Sequence, residues 1–203
     1  MNKSIAMKFI FSIILSMFIF TTLPAQHLVV KGVQINGNPT TFVSKMKQKG
    51  FSSVPNAQID GATLLKGTFS GYRDAYMQIE HGNGNVSQVA IAIQGGRWEE
   101  VKTIYHQLKD AYKTKYNVEP ESEEFFKNAD DETTGSAHFA ISKGDAKYES
   151  TFKVEHGEIS LIIHHLNVLE ANQLWAGVGL GGCYVVMIYY VDNTNHKLQP
   201  AFI

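Results

Sequence analysis

The chain reads as an α+β domain, with helices packed on one face of a largely antiparallel sheet. Three observations predict this. Strand-like runs follow one another through short glycine-bearing links, which suit hairpins and not parallel crossovers. Only two segments carry an apolar stripe at helical spacing. Apolar and polar residues alternate along several runs, as they do in a sheet with one face on a core and the other toward water.

The first 26 residues stand apart from this body. MNKSIAMKFIFSIILSMFIFTTLPAQ opens with Lys3 and Lys8, runs through an apolar core from Phe9 to Phe20 and closes on Leu23-Pro24-Ala25. That is the layout of a secretory signal peptide. The apolar run, about a dozen residues, falls short of the roughly 20 needed to span a bilayer. Cleavage near Gln26 is therefore expected, leaving residues 27–203 as one α+β domain in the periplasm or outside the cell. Lipid attachment at the cleavage point needs a cysteine there, and the only cysteine is Cys183.

Along the mature chain, His27 to Ile35 reads as a strand closed by the turn Asn36-Gly37. Asn38-Pro39 then starts a helix, with Asn38 as N-cap, Pro39 in the first turn and Gly50 as the stop. Phe42, Val43 and Met46 form its apolar stripe. Ala62 to Phe69 is a strand, and Tyr72 to His81 with Val86 to Gln94 form a hairpin across Gly82-Asn83-Gly84-Asn85. The strongest helical signal runs from Arg97 to Tyr116, where Trp98, Val101, Ile104, Tyr105, Leu108 and Tyr112 recur at steps of three and four. Glu99 and Glu100 at its start and Lys113 and Lys115 at its end complement the helix dipole. The acidic run Glu119 to Glu132 reads as a solvated loop or short surface helix. It lacks the Asp-x-Asp-x-Asp-Gly spacing of a calcium loop. His138 to Ser142, Tyr148 to Glu155, Glu158 to His165 and Tyr184 to Asp192 read as strands. Leu169 to Leu174 is a connection, and Gly177 to Gly182 is a glycine-rich loop without the Lys-Ser/Thr of a phosphate loop.

Charge excludes one class of partner. Eighteen basic residues less the two lysines of the leader leave 16 against 19 acids, a mature balance of −3. Nucleic acid wants clustered positive charge, so none is expected as a partner. No second apolar stretch is long enough for a membrane span after cleavage. One cysteine makes no internal disulfide, and Cys183 lies in the β-rich run GGCYVVMIYYV, where burial as a small hydrophobe fits best.

An internal echo suggests duplication. AYMQIEHGNGNVSQVAIAI and YESTFKVEHGEISLIIHHL each place Glu-His-Gly between two aliphatic strands. The implied halves are about 38–94 and 97–165, with 184–192 as a closing strand. This order of elements is similar to that of small secreted proteins with duplicated helix-plus-sheet modules, the beta-lactamase inhibitor protein class. The likeness is of element order alone and transfers no inhibitory motif. The strings HLVVKGVQINGNPTTFVSKMKQKGF, LLKGTFSGYRDAYMQI and VVMIYYVDNTN resemble a family of uncharacterised secreted proteins from anaerobic gut bacteria. That resemblance implies secretion and a shared fold, with no activity and no functional residue to carry over.

Few residues suggest chemistry. His164 and His165 are adjacent on a strand, so they point to opposite faces, and their same-face neighbours add no second imidazole. His81 and His156 follow Glu80 and Glu155 at hairpin ends. If the halves pair in one sheet, these four could meet at one edge as a metal site. The bland reading is that both histidines are polar turn residues, and no cofactor is expected. No Gly-x-Ser-x-Gly occurs, and Asp74, Glu80 and Asp145 are carboxylates near strands without a defined pairing. Aromatics are richer. Tyr72, Tyr76 and Trp175 are candidates for a partly exposed platform on the sheet face away from the helices. The expectation is a non-enzymatic binding module for a protein or glycan. The alternatives are a small extracellular hydrolase using carboxylates or histidine, and an envelope structural protein that homodimerises through strand pairing.

Overall fold

The computed structural model describes residues 27–55, 57, 61–128, 132–133, 135–166 and 182–196. The proposed leader, the Leu169–Leu174 connection, most of the glycine-rich loop and Trp175 lie outside the described residues.

A short hairpin, β1 (Val29–Val30) and β2 (Val33–Gln34), precedes helix α1 (Pro39–Gln48). Strands β3 (Ser52–Ser53), β4 (Ala62–Phe69), β5 (Tyr72–Gly82) and β6 (Asn85–Gly95) follow. Helix α2 (Trp98–Tyr116) opens a second set: β7 (Glu121–Phe126), helix α3 (Ala137–Lys143), β8 (Ala146–Val154), β9 (Gly157–Leu166) and β10 (Cys183–Asp192). A single helical turn, α4 (Asn193–His196), ends the described chain. Eight strands form one sheet in the order β3-β4-β5-β6-β10-β9-β8-β7, with antiparallel pairings throughout. The chain is thus α+β, with its helices serving a large antiparallel sheet.

The first set runs helix then four strands, the second likewise but with α3 between its first and second strands, and the sets meet where β6 pairs with β10. The closing strand is therefore the positional counterpart of β6. The two Glu-His-Gly triplets are not counterparts. Glu80-His81-Gly82 ends the third strand of the first set, whereas Glu155-His156-Gly157 joins the second and third strands of the second. Gly157 has its own reason to be glycine: a Cβ there would sit 2.1 Å from Val191 O on β10.

Local chemistry explains the helices. Asn38 Oδ1 accepts from the backbone N–H of Thr40 at 2.9 Å and Thr41 at 3.4 Å, capping α1. All six stripe residues of α2, from Trp98 to Tyr112, are buried. Each large side chain buried contributes roughly 1.5–3 kcal/mol, so packing and not propensity holds this helix.

Three elements differ from the sequence reading. The segment 27–35 is a hairpin and not one strand, because Lys31 and Gly32 take positive φ of 48° and 78° and turn the chain back. Ile35 N–H donates to Leu28 O at 2.7 Å to close it. The acidic run is neither loop nor helix at its centre but the edge strand β7. Lys147 and Lys153 on neighbouring β8 pair with Glu123 and Glu121 and offset the charge. His138 to Ser142 is helical, since Ala137 and Ala140 bury one face at a three-residue step and Gly144, with φ 71°, caps the end.

The sheet has two unlike faces. The helix side carries the main core, including Leu65, Met77, Ile91, Val186, Ile188 and Leu161 beneath α1 and α2. The outer side carries a smaller cluster of Leu64, Ala90, Ala92, Val185, Met187 and Leu166, with Val54 and Ala57 of the β3–β4 connection packed against it.

One irregularity shapes the molecule. Asp74, with φ 57°, adds an extra residue to β5 opposite Gly67–Phe69 of β4. A β-bulge of this kind reverses side-chain alternation and sharpens the bend. The tip of the β4–β5 hairpin folds over α2: Tyr72 donates its hydroxyl to Gln107 Oε1 at 2.6 Å, and the Phe69 ring meets Tyr190 edge-on at 6.5 Å. Lys31 Nζ ties the β1–β2 turn to the same tip through Thr68 O at 2.8 Å.

Candidate functional site

The bulge separates two residues that sequence spacing places on one face. Tyr76 lies outward beside Ala92, while Tyr72, beyond the extra residue, lies inward against the main core. The expected tyrosine row is therefore broken. A second outward tyrosine is Tyr189 on β10, which sits in register with Ala90 of β6, as Ala90 does with Gln78 of β5. Tyr76, Ala92 and Met187 make the adjacent row. Two alanines on β6 are thus flanked by larger side chains on both neighbours. Tyr76 and Tyr189 are half-buried. Lys66 Nζ lies 5.2 Å from the Tyr76 ring centre and is held by Asp74 Oδ1 at 2.9 Å. Glu80, further along the same face, is near the amides of Gln78 and Gln88, and burial pushes its carboxyl above the ordinary value.

The histidines do not assemble as the metal reading requires. His81 ends β5 and His156 lies in the β8–β9 turn, with β6, β10 and β9 intervening in the sheet. At about 4.8 Å per strand, that gap is several times a metal–ligand distance. His156 Nε2 lies 3.6 Å from Glu155 of its own turn. No cluster of three or more metal-ligating side chains exists among the described residues. A different pair does form. The His138 ring of α3 lies 5.1 Å from that of His165 on β9, and His165 lies 5.1 Å from Tyr184. Sequence neighbours could not reveal it, because it arises from α3 docking across the strand.

The other candidate carboxylates are dispersed. Asp74 on β5 pairs with Lys66 of β4, and Asp145 pairs with Lys127 at 2.7 Å just before β8, four strands from β5. Cys183 is half-buried, and burial pushes its thiol up, away from a reactive thiolate. Asp192 has a structural task. Its fully buried carboxylate accepts from Leu28 N–H at 2.6 Å and Thr194 N–H at 3.0 Å, tying the start of the described chain to the end of β10.

Helix α2 carries two further polar groups, and both were missed by reading the sequence. Toward β7 and β8, Lys109 reaches Glu124 Oε1 at 2.5 Å, and Tyr105 donates to the same oxygen at 3.1 Å. A carboxylate only accepts, so Ser150 must donate to Tyr105 at 2.5 Å, and Ser122 to Ser150 at 2.8 Å. Lys102 and Tyr148 share Glu132 in the same manner, Tyr148 at 3.3 Å.

Toward the β4–β5 tip lies a cleft of about 160 Å³. Phe69, Ser70, Tyr112 and Tyr190 line it, with Lys31, Ala111 and Lys115 at its margin. The hydroxyls of Tyr112 and Tyr190, both buried, bond to each other. Burial pushes both phenols above their ordinary value, so they stay protonated.

No protein-family model, curated protein or solved structure matches the chain. No helix among the described residues is long and apolar enough to cross a membrane.

Proposed function

We propose that this is an exported, non-enzymatic binding module that contacts a protein partner through the outer face of its sheet. The observation that carries the reading is the placement of two half-buried tyrosines, Tyr76 and Tyr189, on the strands either side of β6 and on its outer face, with the Lys66–Asp74 pair beside Tyr76. Tyrosines, large and amphipathic, are among the side chains that protein interfaces use as anchors. A few strands away the same face carries Lys147 between Glu123 and Glu149. Mixed charge of this kind complements a protein surface better than a neutral glycan. Export is supported by the leader-like first 26 residues.

Self-association by strand pairing fits less well. One sheet edge is the two-residue β3, and the other is the acidic β7, the short and charged edges that resist edge-to-edge pairing. The test is recovery of partners from the extracytoplasmic fraction with wild type, Tyr76→Ala and Tyr189→Ala. The reading expects a protein retained by wild type and lost by both variants. Equal recovery of every protein by all three would refute it, and an uncut leader in the intact mass of native material would refute export.

A further inference from the structure

We propose that the cleft beneath the β4–β5 tip binds a compact aromatic carboxylate, either a free small acid or the C-terminal aromatic residue of a peptide. This site lies on the helix side of the sheet and stands apart from the outer-face reading.

Its two lysines lie near aromatic rings, Lys31 Nζ 5.4 Å from that of Phe51 and Lys115 Nζ 4.7 Å from that of Tyr116, and near no described carboxylate. Among the described residues, Lys31 and Lys115 make no ion pair, whereas Lys102, Lys109 and Lys113 of the same helix all do. Lys31 Nζ spends one hydrogen bond on Thr68 O, leaving two of its three N–H groups for an acceptor. The tyrosine pair asks for the same partner. Two hydroxyls hold two protons, and their mutual bond uses one. The second proton needs an acceptor, and both phenols are held neutral by burial. A carboxylate answers both demands at once.

The body of the ligand follows from the floor. Phe69 and the rings of Tyr112 and Tyr190 are buried and apolar. A cavity of about 150 Å³ is large enough for benzene, and this cleft is of that size. One aromatic ring with a short acidic arm fits, whereas a nucleotide or a disaccharide does not.

The experiment is calorimetric titration of the purified protein with benzoate, benzyl alcohol, inorganic phosphate and a tripeptide ending in phenylalanine. Benzoate or the peptide should bind, with benzyl alcohol and phosphate at least about tenfold weaker. The tighter of the first two identifies the source. In Lys31→Met/Lys115→Met the affinity should fall about tenfold or more. In Ala111→Trp, which blocks the mouth from an exposed helix position, it should vanish while the circular dichroism spectrum is kept. Failure of both acids to bind at about 10 mM overturns the proposal. So does phosphate or benzyl alcohol binding as well as benzoate, or unchanged affinity in both folded variants. None of these outcomes bears on Tyr76 and Tyr189.

Discussion

The two flanks of α2 use the same residue types to opposite ends. On the flank facing β7 and β8, each lysine shares one carboxylate oxygen with a tyrosine: Lys109 and Tyr105 on Glu124, Lys102 and Tyr148 on Glu132. Among these groups each charge is paired and each tyrosine hydroxyl donates to a carboxylate. On the flank facing the β4–β5 tip, Lys31 and Lys115 have no described carboxylate, and the hydroxyls of Tyr112 and Tyr190 bond to each other. The difference is the carboxylate. Where the chain supplies it, lysine and tyrosine fasten a sheet edge to a helix. Where no such carboxylate is described, lysine and tyrosine line the cleft, and the acid proposed above would supply the acceptor.

The largest expected contrast lies in the packing beneath the two flanks. Trp98 sits at the closed flank, 1% exposed, with edge contacts to Phe126, Tyr148 and Tyr184 at 5.3, 5.3 and 5.7 Å. Phe69 sits at the cleft with one such contact. Trp98→Ala is expected to cost about 4–5 kcal/mol and Phe69→Ala about 3, because the latter removes a wall beside space already open. Urea midpoints at constant slope measure both. Equal losses would mean that the cleft side is packed as tightly as the other, and the comparison would break.

A smaller contrast separates the hydroxyls. Tyr112→Phe strands the hydroxyl of Tyr190, which is 1% exposed, and should cost about 1–3 kcal/mol. Tyr105→Phe should cost about 1 kcal/mol, since Ser150 keeps Ser122 and Glu124 keeps Lys109. The double variant Tyr112→Phe/Tyr190→Phe should lose less than the sum of its singles, because no buried hydroxyl is left alone. Additive losses would show that the pair is not a unit.

What could be read without the structure follows a physical line. The α1 cap, the α2 stripe and the long hairpins come from local chemistry, and they lie where spacing places them. The errors come from tertiary choices. One extra residue at Asp74 turns Tyr72 away from Tyr76, and strict alternation cannot foresee a bulge. The acidic run becomes a strand only because lysines on β8 await it. The cleft draws Lys31, Phe69, Tyr112 and Tyr190 from four distant segments, so no motif announces it. The leader and Trp175 lie outside the described residues, and their readings stand as expectations.

The subtlest way to separate the flanks is pH. Lys102, hydrogen-bonded to Glu132, holds that carboxyl below its ordinary 4.5. At Glu124, burial pushes the value up, but Lys109 and Tyr105 outweigh it and the result is again below 4.5. An acid lowered in the folded state is ionised there at pH values where the unfolded chain has begun to bind its proton. Each pair therefore contributes its stability in full above about pH 4.5 and loses it as pH falls through the lowered value. Glu80 has the opposite sign: burial raises it, so it destabilises the fold as pH rises through 4.5 toward its raised value. The expected ordering of acid sensitivity is Glu80→Gln above wild type, and wild type above Glu124→Gln/Glu132→Gln. Both carboxylates are partly exposed, so the flattening should be under about 1 kcal/mol per pair. The cleft carries no described carboxylate, so Lys115→Met should leave the whole profile below about pH 6 unmoved. A profile that shifts with Lys115→Met would reveal an acid hidden on the open flank, and the two sides of α2 would no longer differ in kind.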